Sequence, residues 1–132
     1  MVGVLIITHN GIGDEMLAAA ETIIGKSLPR VRTVAIPGEL QPDDLGMYAD
    51  QVKLSIKELE QGDGVLIVTD LYGATPSNLA HYFAADHHVK IISGLNLSML
   101  MRVINYVEQP LELLAKIGIV GANKGITKEV EV

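Results

Sequence analysis

Short aliphatic runs alternate with longer stretches of helical period along the whole chain, and this alternation limits the fold more than any other feature. Residues 2–8 (Val-Gly-Val-Leu-Ile-Ile-Thr) and 65–69 (Val-Leu-Ile-Val-Thr) are almost wholly apolar. Runs of that length and composition read as strands buried on both faces. Residues 31–36 (Val-Arg-Thr-Val-Ala-Ile) and 89–93 (Val-Lys-Ile-Ile-Ser) are β-branched but carry polar positions, which puts them nearer the sheet edges. The intervening segments have a period of three to four. Residues 14–24 set Met16, Leu17, Ala20, Ile23 and Ile24 on one face, with Gly25 as a stop. Residues 42–60 repeat Leu45, Tyr48, Val52, Ile56 and Leu59. Thr75 reads as an N-cap followed by Pro76, opening a helix over residues 76–85. Residues 97–107 and 110–122 complete the set, the last against the propensity of Gly118 and Gly121. Residues 126–132 alternate and read as a short strand.

The order predicts an α/β fold. It is a single doubly wound sheet of four parallel strands in the order 2-1-3-4, with helices on both faces and a C-terminal antiparallel edge strand. A length of 132 residues corresponds to one domain, residues 1–132. With 48% apolar and 20% charged residues, disorder is excluded, and with 4% aromatics the core must be aliphatic. The absence of cysteine excludes a disulfide scaffold, a thiolate zinc site and a cysteine nucleophile. A net charge of −6 opposes nonspecific binding to nucleic acid or anionic lipid. The apolar runs fall far short of the roughly 20 residues of a membrane span, and the first residues lack the basic region of a signal peptide. A cytoplasmic location is expected.

In a 2-1-3-4 sheet, strands one and three are neighbours, and ligands gather beyond their carboxyl ends. Strand one ends at Thr8-His9 and strand three at Thr69-Asp70. Adjacent strands lie about 5 Å apart, so a carboxylate there can accept from Nδ1–H of the imidazole. That fixes the tautomer and leaves a lone pair on Nε2, a nucleophile or general base. Alone, His9 would read as a strand-end cap and Asp70 as a turn residue; the pairing favours a site. The following Gly73-Ala74-Thr75-Pro76 offers close backbone approach, helix-start amides and a hydroxyl, an anion cradle beside the pair. No Gly-Lys-Thr or Gly-Lys-Ser of a nucleotide loop occurs. His81 falls mid-helix and His87-His88 in a polar turn, without the third ligand that a metal would need.

These residues carry a resemblance. Ile7-Thr8-His9 with Gly11, the run from Val65 through Asp70, Tyr72, Gly73, Ala74, Thr75 and Pro76 to Asn78, Ile36-Pro37-Gly38-Glu39, and residues 93–100 together resemble the mannose-type enzyme IIA of the bacterial phosphoenolpyruvate-dependent sugar phosphotransferase system. The resemblance implies a phosphocarrier without cofactor or metal. His9 would take a phosphoryl group on Nε2 from the phosphohistidine of HPr and pass it to a separate IIB component for sugar uptake. Asp70 would orient the ring, and Thr75, with Gly73 and Ala74, would hold the phosphoryl group. It also implies a homodimer in which the C-terminal strand is exchanged, and contact with membrane only through transporter components. The chain departs from the family pattern at Asn10 and Ala74, where smaller residues are usual, and at Thr75, where serine is usual. No IIB domain is expected within residues 1–132. Two alternatives stay open: a stand-alone regulatory phosphoryl relay, and a flavodoxin-like ligand-binding module. A receiver domain phosphorylated on Asp70 would need an acidic pair where Thr8-His9 stand.

Overall fold

Four parallel strands form one sheet in the order β2-β1-β3-β4, as the alternation predicts. This computed structural model describes residues 1–86 and 88–129. The elements are β1 (Gly3–His9), α1 (Ile12–Ile24), β2 (Val31–Ile36), α2 (Leu45–Leu59), β3 (Val65–Thr69), α3 (Thr75–His81), β4 (Val89–Ser93), α4 (Leu97–Asn105) and α5 (Leu111–Lys124). Among the described residues, no helix is long and apolar enough to cross a membrane.

Both central strands are buried on both faces, and their period of two divides them between two cores. Val4, Ile6, Leu66 and Val68 join Met99, Leu100, Val103 and Leu114 beneath α1, α4 and α5. Leu5, Ile7, Val65 and Ile67 join Val52, Leu59, Leu79 and Ala80 beneath α2 and α3. The connection after β1 therefore leaves toward one face and the connection after β3 toward the other. The crevice between their carboxyl ends is the switch point where such sheets bind ligands.

Several boundaries differ from the sequence reading, each for a local reason. The 42–60 segment opens with a single tight turn, Pro42–Asp44, before α2 begins. Thr75 is not the N-cap. The first i→i−4 bond runs from Asn78 N–H to the carbonyl of Ala74 at 2.9 Å, so Ala74 caps and Thr75 is the first helical residue. That helix ends at His81 rather than at residue 85. Phe83 N–H and Ala84 N–H turn back to Ala80 and His81, and the exposed Tyr82, Ala84 and Ala85 give a continued helix nothing to bury. α4 ends at Asn105, and its N-cap is Asn96, whose Oδ1 accepts from Met99 N–H at 2.8 Å. Ile23, assigned to the apolar stripe of α1, is 60% exposed. Residues 126–129 belong to no strand in this single chain. The rest of the expected C-terminal strand, residues 130–132, and His87 lie outside the described residues.

Gly118 and Gly121 sit inside α5 because β4 and α4 leave them no room. A Cβ on Gly118 would stand 2.7 Å from Ile92 Cδ1 and 2.9 Å from Val103 Cγ2. On Gly121 it would stand 2.6 Å from Arg102 Cβ. Overpacking of this kind costs about 1–3 kcal/mol, more than the ~1 kcal/mol of helix propensity an alanine returns. Gly121→Ala is therefore expected to destabilise the chain. Gly46, in α2 with nothing within 4 Å, is the control: Gly46→Ala should stabilise it by about 0.5–1 kcal/mol. Urea unfolding of the two variants reads the opposite signs.

Candidate functional site

His9 is the last residue of β1, and its surroundings follow from the geometry of a strand between two parallel neighbours. Successive N–H groups point to opposite sides. Asn10 N–H donates to Ile36 O on the β2 side at 2.8 Å. His9 N–H donates toward β3, to Asp70 Oδ2 at 2.9 Å. The His9 ring joins the same oxygen, Nδ1 to Oδ2, at 2.8 Å. The other carboxylate oxygen, Oδ1, accepts from Leu71 N–H at 2.9 Å. Asp70 thus gathers three N–H donors on two oxygens. The pairing is diagonal rather than level: Ile7 faces Thr69 in the register, so Asp70 reaches one residue further along β1 to meet His9.

An ionised carboxylate only accepts, so Nδ1 carries the proton and Nε2 presents its lone pair. Nε2 has no hydrogen-bonding partner among the described residues. The His9 side chain is 35% exposed and the Asp70 side chain 13%. The carboxylate is thus tucked beneath a ring whose free edge meets solvent. Burial alone would raise the Asp70 pKa; the hydrogen bonds from His9 N–H, the His9 ring and Leu71 N–H outweigh it and hold the carboxyl below its ordinary value. Asp70 is therefore an anion at neutral pH, able to stabilise positive charge on the ring.

The loop after β3 runs along the same rim. Gly73 takes φ +85°, a left-handed conformation that favours glycine. Ala74 N–H closes a turn to Leu71 O at 3.3 Å, and Asn78 Nδ2 donates to Gly73 O at 3.3 Å. Gly73 and Thr75 are exposed. The Thr75 hydroxyl caps nothing and is free to meet a ligand. Thr75 makes no hydrogen bond to His9 or Asp70; the loop is joined to the pair through Leu71, whose N–H meets Asp70 Oδ1 and whose carbonyl accepts from Ala74 N–H. The α3 helix has seven residues; whatever charge this loop holds is held by its amides and hydroxyl more than by a long helix dipole.

Three further features went unread in the sequence. Thr8 Oγ1 accepts from Gly13 N–H at 2.9 Å and so fixes the start of α1 behind His9. Tyr72 sets its ring edge-to-face against His81, with centroids 6.0 Å apart, and His81 Nδ1 donates to Ser77 O at 2.7 Å. Asn10 adopts φ +48°, which an Asn before a glycine could have suggested. Among the described residues, no three His, Asp or Glu side chains converge as metal ligands.

The PTS system mannose-specific EIIAB component of Escherichia coli (strain K12) is 27% identical over 104 residues, which are 78% of this chain and 31% of that protein. The match spans about a third of the curated relative's length. Among solved structures, the PTS IIA protein associated with the fucose utilization operon from Streptococcus pneumoniae superposes with a TM-score of 0.81 at 25% identity, covering 97% of this chain and 96% of that one. The mannose/sorbose specific IIA subunit of the phosphotransferase system from Enterococcus faecalis superposes at 0.85 with 21% identity, covering 99% and 96%; at that identity the likeness is one of fold. The model of the EIIA-man family, described as PTS system fructose IIA component, matches residues 3–116. With most of its length matched, the chain belongs to the EIIA-man family of phosphotransferase-system IIA components.

Proposed function

We propose that the chain is a phosphocarrier for sugar uptake, accepting a phosphoryl group from phospho-HPr on His9 Nε2 and delivering it to a separate IIB component. One observation carries the reading: His9 Nδ1 is held 2.8 Å from an anionic Asp70 while Nε2 faces solvent. An imidazole so held is a nucleophile aimed outward at a partner protein's surface, where a pocket enzyme would hide it.

The transfer balances without metal or cofactor. The Nε2 lone pair attacks phosphorus, the donor's N–P bond breaks, and its electron pair returns to the donor imidazole. The positive charge that develops on the His9 ring is offset by Asp70 through the Nδ1–H bond. The equatorial oxygens are met by the amides of Gly73 and Thr75, with Ala74 letting the backbone approach, and by the Thr75 hydroxyl. In the second step a nucleophile on IIB attacks phosphorus, the Nε2–P bond breaks, and His9 regains its lone pair.

Incubation with phosphoenolpyruvate, enzyme I and HPr, followed by intact mass and site mapping, tests the reading. One acid-labile phosphoryl group on His9 supports it; no uptake, or uptake elsewhere, overturns it. Thr75→Val removes the hydroxyl at constant shape. The acceptance rate should fall about ten- to a thousandfold, the range for one stabilising donor, with the His9 ring spectrum unchanged.

The reading extends to a homodimer. Among the described residues β4 pairs only with β3, so its outer edge is open to a further strand. Residues 126–132 alternate as such a strand would, and we propose that each subunit lends them to the other's β4. Mass in solution before and after removal of residues 126–132 checks this.

A further inference from the structure

We infer that Asn10 is a positioning residue for His9, tying the β2–α2 loop to the imidazole that accepts the phosphoryl group. The inference rests on the proposed phosphocarrier role and adds a residue to it.

Asn10 is the one residue other than glycine with a positive φ among those described. Left-handed backbone costs an L-residue roughly 1–2 kcal/mol, least for Asn and Asp. That conformation turns the chain out of the sheet directly after His9. It also directs the Asn10 side chain across β2, where Oδ1 accepts from Gly38 N–H at 3.2 Å. With Asn10 N–H on Ile36 O at 2.8 Å, the residue makes two bonds toward β2. His9 makes two toward Asp70. The backbone that carries the ring is clamped from both neighbouring strands.

A glycine would supply the same turn with less strain, so the turn alone does not call for Asn. What Asn adds is the bond to Gly38. Gly38 and Glu39 are exposed on the segment between β2 and the Pro42–Asp44 turn. Without the bond, the His9-Asn10 peptide keeps its backbone link to Ile36 O but loses its tie to the loop beyond β2, and the ring loses one of its two ties on that side. The ring must stay near one orientation for in-line attack, so the loss should appear in turnover more than in donor affinity.

Two variants separate positioning from turn formation. Asn10→Gly keeps the left-handed backbone and loses the acceptor. Asn10→Asp keeps an acceptor and tolerates the backbone. With phospho-HPr as donor, Asn10→Gly should lower kcat about two- to tenfold, the worth of one neutral hydrogen bond, and leave KM for the donor unchanged. The 15N spectrum of the His9 ring should move toward a ring averaging two orientations. Asn10→Asp should return that spectrum to the wild-type pattern. A Gly variant with wild-type kcat and ring spectrum, or an Asp variant whose spectrum matches the Gly variant, overturns the inference. Labelling of the wild-type chain on His9 tests the phosphocarrier role separately, and the ring spectra decide the role of Asn10 whether or not the donor reacts.

Discussion

His9→Gln is expected to give a folded chain that takes up no phosphoryl group. The ring is 35% exposed at the end of β1, so its loss removes little from either core. The His9 N–H bond to Asp70 Oδ2 belongs to the backbone and survives the change. Glutamine offers the partner an amide with no basic lone pair, and among the described residues no other imidazole bonds Asp70: His81 Nδ1 donates to Ser77 O, and His88 precedes β4. Removing the proposed nucleophile should cost at least about a thousandfold in acceptance rate. Labelled phosphate uptake from phospho-HPr, with circular dichroism and urea unfolding as the measure of fold, reads the two effects apart. Uptake by a folded His9→Gln chain would move the chemistry to another residue.

Asp70→Ala should be nearly as damaging to rate and worse for stability. The carboxylate answers three N–H groups, and alanine answers none. The ring is left free to rotate and to carry its proton on either nitrogen. A loss of about a hundred- to ten-thousandfold is expected when the group that orients a catalytic histidine is removed. Asp70→Asn should fall between. Its best orientation keeps the amide oxygen on His9 and turns the NH2 toward Leu71 N–H, whose exposed position lets water accept instead. The tautomer is then kept and the negative charge lost. Charged hydrogen bonds exceed neutral ones by about 1–2 kcal/mol, which corresponds to roughly five- to thirtyfold in rate.

Stability should track pH in the same series. Because folding lowers the Asp70 pKa, its carboxylate contributes stability that is fully present above the unfolded value, about 3.9. That contribution is lost as pH falls through the folded value. The stability gap between wild type and Asp70→Ala should therefore be widest near neutral pH and shrink below about pH 4. Urea midpoints at neutral and acid pH measure it.

Much of this was legible in the sequence because the strands announce themselves. Val65 through Thr69 can be nothing but a buried strand, and the same holds for the run ending at His9. Once both are parallel neighbours, their ends must meet, which is why His9 and Asp70 can be paired before any coordinates exist. Register is a different matter. Apolar residues on both faces do not say whether Asp70 stands level with His9 or one residue behind it, and the diagonal reach appears only in the structure. Thr75 misled for a similar reason. A threonine before a proline satisfies the cap pattern, but the cap is decided by which carbonyl takes the first i→i−4 bond, and Ala74 takes it. Gly118 and Gly121 argued against a helix by propensity, and the close approach of β4 and α4 that requires them is a tertiary fact. The Asn10 bond to Gly38 depends on where two loops meet across β1 and β2, which no periodicity encodes.

The most direct measurement is atom-resolved. Chain labelled with 15N-histidine, charged through phosphoenolpyruvate, enzyme I and HPr, should show one phosphorus–nitrogen coupling, on Nε2 of His9, while Nδ1 keeps its proton against Asp70. A phosphoryl group on Nδ1, on another histidine or on Asp70 itself would contradict the account.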